Sequence, residues 1–269
     1  MTGPAEQFGG SIPHAYHQGL GPVIFEPYAL DMGERLPLAP EMRVLETAAG
    51  TGLVTRALLA RMPASGRLVA TDLQEGMIGV GRAYVGDDPR LEWRPADAQA
   101  LPFPDASFDA LVCQFGLMFF PDKPLAIREA KRVLKPGGTL LLNVWDSFDR
   151  NSFARIANET LVQLFPGDPP PFFHTPFGYS DPATIRTLLE QAGLHDVRVE
   201  HVDKVAVSQS AEQFARGLIL GTPVVTQIEA RGGVDAATAV TRLTERLGEL
   251  GGLTPHRSPM RALVATARA

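Results

Sequence analysis

A chain of 269 residues is long enough to bury a full core, and 45% hydrophobic with 20% charged residues is the balance of an ordinary globular protein. A formal net charge of −5, without any Lys/Arg run, argues against a phosphate backbone as partner, so no nucleic acid is expected. The one cysteine, Cys113, excludes an internal disulfide framework and a multi-cysteine metal site, and its apolar surroundings read as core.

The N-terminal Met-Thr-Gly-Pro-Ala-Glu-Gln has no apolar signal-peptide core and no stretch approaches a membrane span, so a cytoplasmic location is expected. Residues 1–13, rich in Gly, Pro and polar groups, are expected to be a loose arm. From Ala15 to Leu38 apolar and aromatic residues return, broken by Gly21-Pro22 and Pro27. This predicts two short helices that could close over a site further along the chain.

Val44 and Leu45 end a buried strand, Glu46 follows, and small residues up to Gly52 lead into a helix from Leu53 to Met62. Such a turn brings backbone N–H groups and a helix N-terminus close to a ligand, with Gly50 and Gly52 allowing approach without a Cβ. Arg67–Thr71 is a short buried strand ending at Asp72, twenty residues beyond Gly52. An acid there accepts hydrogen bonds from ribose hydroxyls or N-caps the helix Leu73–Ala83, and both roles can coexist. Leu91–Pro95 and Phe108–Phe115 read as the third and fourth strands, with Ala96-Asp97-Ala98 after the third. Asp122–Leu134 is an amphipathic helix stopped by Lys135-Pro136-Gly137-Gly138, and Thr139–Trp145 is a fifth strand.

Strands alternating with helices predict a doubly wound parallel α/β sheet, with ligands at the carboxyl ends of its strands. Glu46, Asp72, Asp97 and Gln114 should converge there on one crevice. Residues 151–180 depart from the alternation: a helix over Asn151–Phe165 is followed by a proline-stiffened, aromatic stretch, Pro166–Tyr179. Asp181-Pro182 then starts a helix to Gln191, Val197–Val207 is a sixth strand, and Ser210-x-x-Gln213 is a capping box. Thr222-Pro223 starts another helix, and Asp235 caps one with Val240, Leu243, Leu247 and Leu250 on one face. Arg261–Thr266 reads as a final strand.

Four segments in order carry a resemblance to the class I S-adenosylmethionine-dependent methyltransferases, in particular the small-molecule branch with the quinone-biosynthesis enzymes. Val44-Leu-Glu-Thr-Ala-Ala-Gly-Thr-Gly52 resembles the first motif of that family and Thr71-Asp-Leu-Gln-Glu-Gly-Met77 the second. Ala96–Asp109 resembles the third, and Arg132-Val-Leu-Lys-Pro-Gly-Gly138 is the most specific. Ala48 stands where the family's first glycine is usual, which a negative φ would tolerate. The resemblance implies a seven-stranded Rossmann-like sheet, mostly parallel with an antiparallel C-terminal strand, and helical insertions forming a lid. It divides the chain into an N-terminal helical arm, 1–40, and a methyltransferase domain, 41–269, with insertions at 150–180 and 208–256.

The implied cofactor is S-adenosyl-L-methionine, leaving S-adenosyl-L-homocysteine. Glu46 would face its amino acid end, with the turn around Ala48, Gly50 and Gly52 lying against it. Asp72 would hold the ribose, Leu73 and Met77 the adenine; Asp97 and the Ala98 amide would meet the adenine edge, and Gln114 would lie near the reacting methyl. Tyr16 could close over that end. Methyl transfer from an activated cofactor needs proximity, alignment and a dry site more than a fixed catalytic residue. Where the acceptor must lose a proton a base helps, and His174 and Tyr179 are the candidates, followed by His14 and His17. An exposed loop position is the competing reading of His174.

Phe172, Phe173 and Phe177 favour a small apolar or aromatic acceptor, or simply anchor their loop to the core. Two other readings stay open: an NAD(P)-dependent Rossmann oxidoreductase, although Thr55 stands where the dinucleotide fingerprint needs glycine, and a non-catalytic scaffold that binds S-adenosylmethionine. No metal is expected. Whether the chain forms a homodimer is open at this level.

Overall fold

The computed structural model describes residues 8–269, so residues 1–7 of the expected loose arm lie outside the described part. The N-terminal segment opens with α1 (Ile12–Gly19), a π-helical turn over Gly21–Phe25, and α2 (Glu26–Arg35). The doubly wound core follows as β1 (Arg43–Glu46), α3 (Leu53–Leu59), β2 (Arg67–Asp72), α4 (Glu75–Val85), β3 (Leu91–Pro95) and β4 (Phe108–Gln114). A 3-10 turn at Leu117–Phe119 leads to α5 (Lys123–Val133), β5 (Leu134–Trp145), α6 (Ser152–Leu164), the short α7 (His174–Phe177) and α8 (Pro182–Gln191). The chain closes with β6 (His195–Ser208), α9 (Ala211–Leu220), α10 (Val224–Arg231), α11 (Ala236–Gly251) and β7 (His256–Arg268).

All seven strands form one sheet in the order β3-β2-β1-β4-β5-β7-β6. Neighbours from β3 to β5 pair in parallel, and β7 runs antiparallel to both β5 and β6. The inner parallel strands β1, β2 and β4 are buried almost throughout because helices cover both faces, as Val44, Leu45, Leu68, Leu111 and Val112 illustrate, while the edge strand β3 carries Glu92 and Arg94 and is not buried. Among the described residues no helix is long and apolar enough to cross a membrane.

Several sequence boundaries move for local reasons. Helix α1 starts at Ile12, with Pro13 in its first turn, so the end of the expected loose arm is already helical. Helix α4 begins at Glu75, two residues beyond the expected start, with Gln74 at its N-cap position. Asp72 therefore does not cap it, although its carboxylate still accepts from the Gln74 amide at 2.8 Å. The Lys135–Gly138 segment is not a plain turn after a helix. The helix ends at Val133, and Leu134 already pairs with Phe108 before a register shift restores the ladder at Thr139. The capping box at Ser210 is half formed: Ser210 Oγ accepts from the Gln213 amide at 3.0 Å.

The N-terminal helices are core as well as cover. Leu20, Tyr28, Met32 and Leu36 are fully buried, and the Tyr28 hydroxyl donates to the Val202 carbonyl at 3.0 Å. Helix α1 lies against α9 with backbone nearly touching backbone. A Cβ on Gly19 would come 2.6 Å from Gly217 Cα, and one on Gly217 would come 2.7 Å from the Gly19 carbonyl carbon. Replacing Gly217 by Val should therefore force the two helices apart at a cost of about 1–3 kcal/mol. Circular dichroism melting should show Tm falling by roughly 2–4 °C per kcal/mol lost.

Candidate active site

The turn after β1 holds three positive-φ residues, Ala48 at 52°, Gly50 at 57° and Gly52 at 83°. Glycine suits the left-handed backbone at position 50, where the amide donates to Asp72 Oδ2 at 2.8 Å. Position 48 does not have the negative φ that would have made alanine unremarkable. A non-glycine residue in this region stands roughly 1–2 kcal/mol uphill. Its methyl group fills space left by a neighbour, because a Cβ on Gly116 would lie 2.5 Å from the Ala48 Cβ. Gly52 serves packing and not ligand approach: a Cβ there would meet Val85 at 2.9 Å and Trp93 at 3.1 Å.

Asp72, at the carboxyl end of β2, binds two turns at once through Gly50 N–H on Oδ2 and Gln74 N–H on Oδ1, both at 2.8 Å. Burial raises its carboxyl above the ordinary range, and those backbone donors pull it back. The carboxylate keeps further lone pairs for hydroxyl donors. After β3, Asp97 Oδ1 accepts from the Gln99 amide at 2.8 Å. At the end of β4, Gln114 Nε2 donates to the Phe25 carbonyl at 3.3 Å, while its Oε1 is buried without a partner.

The next residue, Phe115, has φ 50° and stacks on Trp145 with centroids 4.0 Å apart. Its amide is held by Asn143 Oδ1 at 2.8 Å. Asn143, fully buried opposite Gln114 in the β4–β5 register, is not singled out by the apolar pattern of its strand. A lone amide amid Leu and Val in that strand was the available signal.

These strand ends open into a cavity of about 150 Å³. A second hollow, beneath Cys113 and Thr47, measures about 10 Å³, no more than one water. Cys113 itself is core, its thiol pushed up to about 11 by burial. Ala48, Gly50, Asp72, Leu73 and Met77 line one part of the large cavity, with Asp97, Ala98 and Gln114 continuing it. Tyr16 reaches it from α1, its ring stacked on Phe25 at 4.7 Å. The other part is aromatic, with Phe115, Phe119, Trp145, Phe153, Phe173 and Phe177 among its walls, and α9 adds Leu218 and Thr222.

Three expectations change. Glu46 does not reach the crevice: it is 2% exposed, its Oε2 accepts from Thr55 Oγ1 at 2.7 Å, and burial pushes its carboxyl up to about 8. The four acids and amides expected to converge are thus three, Asp72, Asp97 and Gln114. His174 is exposed, with its ring against the edge of Phe148 at 5.6 Å, and does not line the cavity. Tyr179 lies under the Lys123 ammonium at 5.2 Å, also outside. Phe172, Phe173 and Phe177 are buried, and the single turn of α7 leaves His174 on its exposed side. His14 is exposed, and His17 Nδ1 meets Thr51 Oγ1 at 3.0 Å behind the turn.

The family description "Methyltransferase domain" matches residues 45–142, the span from β1 into β5. The ubiquinone/menaquinone biosynthesis C-methyltransferase UbiE of Paraburkholderia phymatum is 34% identical over 174 residues, 59% of this chain and 70% of that protein. This chain belongs to the class I S-adenosylmethionine-dependent methyltransferases. The demethylmenaquinone methyltransferase of Clavibacter sepedonicus is 44% identical over 106 residues, 39% of this chain. Only 42% of that relative's length is spanned, and 66% of the UbiE protein of Hahella chejuensis. The likeness in fold reaches further: phosphoethanolamine N-methyltransferase 2 of Haemonchus contortus, solved with S-adenosyl-L-methionine, superposes with a TM-score of 0.60 at 18% identity. That superposition covers 95% of this methyltransferase and 56% of the other chain.

The residues fit the family's cofactor. Gln114 Oε1 is an acceptor awaiting a donor, and Asp72 faces the cavity with lone pairs to spare. At the position where a dinucleotide fingerprint needs glycine, Thr55 is instead committed to Glu46.

Glu46 gives the apo protein a pH signature. A carboxyl raised to about 8 from its ordinary 4.5 binds a proton more tightly in the folded state, so stability falls as pH rises from 4.5 to 8. Glu46→Gln should remove that slope, so its advantage over the parent in urea melts grows across this window and levels off above it. His174→Ala and Tyr179→Phe should each change the calorimetric affinity for S-adenosylhomocysteine by less than about twofold, since neither side chain lines the cavity.

Proposed function

We propose that this methyltransferase transfers a methyl group from S-adenosylmethionine to a small, apolar or aromatic organic acceptor. The observation that carries the reading is one continuous cavity, polar beside Gly50, Asp72 and Gln114 and aromatic beside Trp145 and Phe177.

Within it Asp72 accepts from the ribose hydroxyls while its backbone bonds keep the first turn in place. Leu73 and Met77 pack on the adenine, and Asp97 with the Ala98 amide reads its edge. Gln114 Oε1 takes a donor from the amino acid end, its amide being fixed by Phe25. The sulfonium supplies an already activated methyl group, so the chain's task is alignment and exclusion of water. Phe25, Phe115 and Trp145 form the dry wall. The segments 150–180 and 208–256, with α1, act as its cover. Glu46 acts at one remove, through the turn it supports from below, and not as a direct ligand.

Thermal melts with S-adenosylmethionine, S-adenosylhomocysteine, NADH and NADPH in parallel test the class. A ligand at about a hundred times its Kd adds about 2.7 kcal/mol, several degrees at this size. Only the two sulfur nucleosides should shift Tm; a shift with a nicotinamide alone would overturn the proposal. Asp72→Ala, which leaves the Gly50 and Gln74 amides without their acceptor, should weaken S-adenosylhomocysteine at least tenfold by calorimetry, the scale of a lost charge-assisted hydrogen bond at about 1.4 kcal/mol per decade.

A further inference from the structure

Strand β6 stands last in the sheet order and, among the described residues, pairs with β7 alone. At 14 residues it is also the longest strand. An edge of that length offers a row of backbone N–H and C=O groups to a further strand. Its later part is apolar on one face: Val205 is 52% and Val207 43% exposed. There β6 pairs with His256–Arg261, beyond the point where β5 ends at Trp145, opposite Ala262. The Tyr28 hydroxyl reaches the Val202 carbonyl from the sheet face, because its ring packs on Trp145 of β5 and β7 lies between. It does not occupy the edge.

The charges of β6 complement those of the same strand reversed. When two copies pair antiparallel about a two-fold axis normal to the sheet, facing side chains share a face, so the axis passes through a residue. With Val202 on the axis, Glu200 faces the partner's Lys204, His201 faces the partner's Asp203, and Val199 faces the partner's Val205. Each of these contacts occurs twice. Neighbouring registers lack this match. An axis at 200, 203 or 204 sets Glu, Asp or Lys against itself, and one at 201 sets Arg198 against Lys204. Opposite charges facing across a strand pair are favourable, and like charges are not.

We infer that β6 is a self-association surface, pairing antiparallel over residues 198–206 with β6 of a second copy of this chain and joining two seven-stranded sheets into one. The inference is independent of what the cavity binds. Same-chain partners already hold the charged groups in place. Arg35 Nη1 donates to Glu200 Oε2 at 2.8 Å, and Lys204 Nζ lies 3.6 Å from Asp31 Oδ1. Across the axis, Arg35, Glu200, the partner's Lys204 and the partner's Asp31 form a row that alternates in sign. On the other face Arg261 holds Asp203 through two bonds, at 2.6 and 2.9 Å, beside the partner's His201. A merely solvated charged edge is the competing reading, and it specifies no register.

Light scattering on the full chain at micromolar concentration should give twice its 29.0 kDa. Val205→Lys, at a half-exposed position, should return the monomer with an unchanged circular dichroism spectrum. Its affinity for S-adenosylhomocysteine should stay within about twofold of the parent. Engineered cysteines under mild oxidant read the register. Val202→Cys should crosslink to its own copy. Val199→Cys should crosslink to Val205→Cys when the two are mixed, and neither should do so alone. The parent chain, whose Cys113 is buried, is the control.

A dimer that survives Val205→Lys, or one in which Val202→Cys does not crosslink, would overturn the inference. A monomeric parent chain would do so too, and protection of its β6 amides from hydrogen exchange would show another segment of the same chain seated on the edge.

Discussion

The Asp72 carboxylate is the joint on which the site depends. One oxygen takes the Gly50 amide from the turn after β1 and the other takes the Gln74 amide ahead of α4. Two separate segments, at Gly50 and at Gln74, are thereby fixed to one strand end beside the cavity. Charge-assisted bonds to backbone N–H are among the stronger hydrogen bonds, and here they also offset the cost of burying the carboxylate. Glu46 repeats the device a layer deeper. Its hydroxyl partner is Thr55 and its carbonyl receives Thr71 Oγ1, so the acid braces the turn from beneath.

Local strain gathers at the same strand ends. Ala48 and Phe115 both occupy the left-handed region, and each is held there by a specific partner. Ala48 fits because residue 116 has no side chain, and Phe115 is fixed by two contacts at once, the Asn143 amide oxygen and the face of Trp145. Uncommon backbone angles of this kind persist only where surroundings over-determine them. The outcome is that Gln114 and Phe115, consecutive in sequence, supply the polar and aromatic halves of the cavity in turn.

The aromatic half is assembled from segments far apart in the chain. Tyr16 and Phe25 come from the N-terminal helices, Trp145 from the end of β5, Phe153 from α6 and Phe177 from α7. Their rings stack or meet edge-on, Trp145 touching Phe115, Phe25, Phe153 and Phe177. Ring contacts add specificity to simple burial. Over this wall α1 and α9 meet through Gly19 and Gly217, so the two covering helices are joined at a distance that admits no side chain.

The sequence by itself determined the sheet and the cofactor side. A short continuous apolar run ending in a polar residue, followed by a helical period, is local information, and so Asp72, Asp97 and Gln114 are legible at strand ends from the sequence. Other features depend on residues beyond the local stretch. Whether Glu46 points into the crevice depends on Thr55, in the first turn of the following helix, and whether Ala48 is accommodated depends on Gly116, 68 residues away. His174 and Phe173 are neighbours in sequence, yet only packing against the core decides which of them faces inward. Tertiary structure alone determined the acceptor side, because its walls come from segments scattered from α1 to α9 whose spacing in the chain carries no period. Burial there is a property of the assembled surfaces and not of any one stretch, which is why the chamber is legible only once folding has brought the rings together.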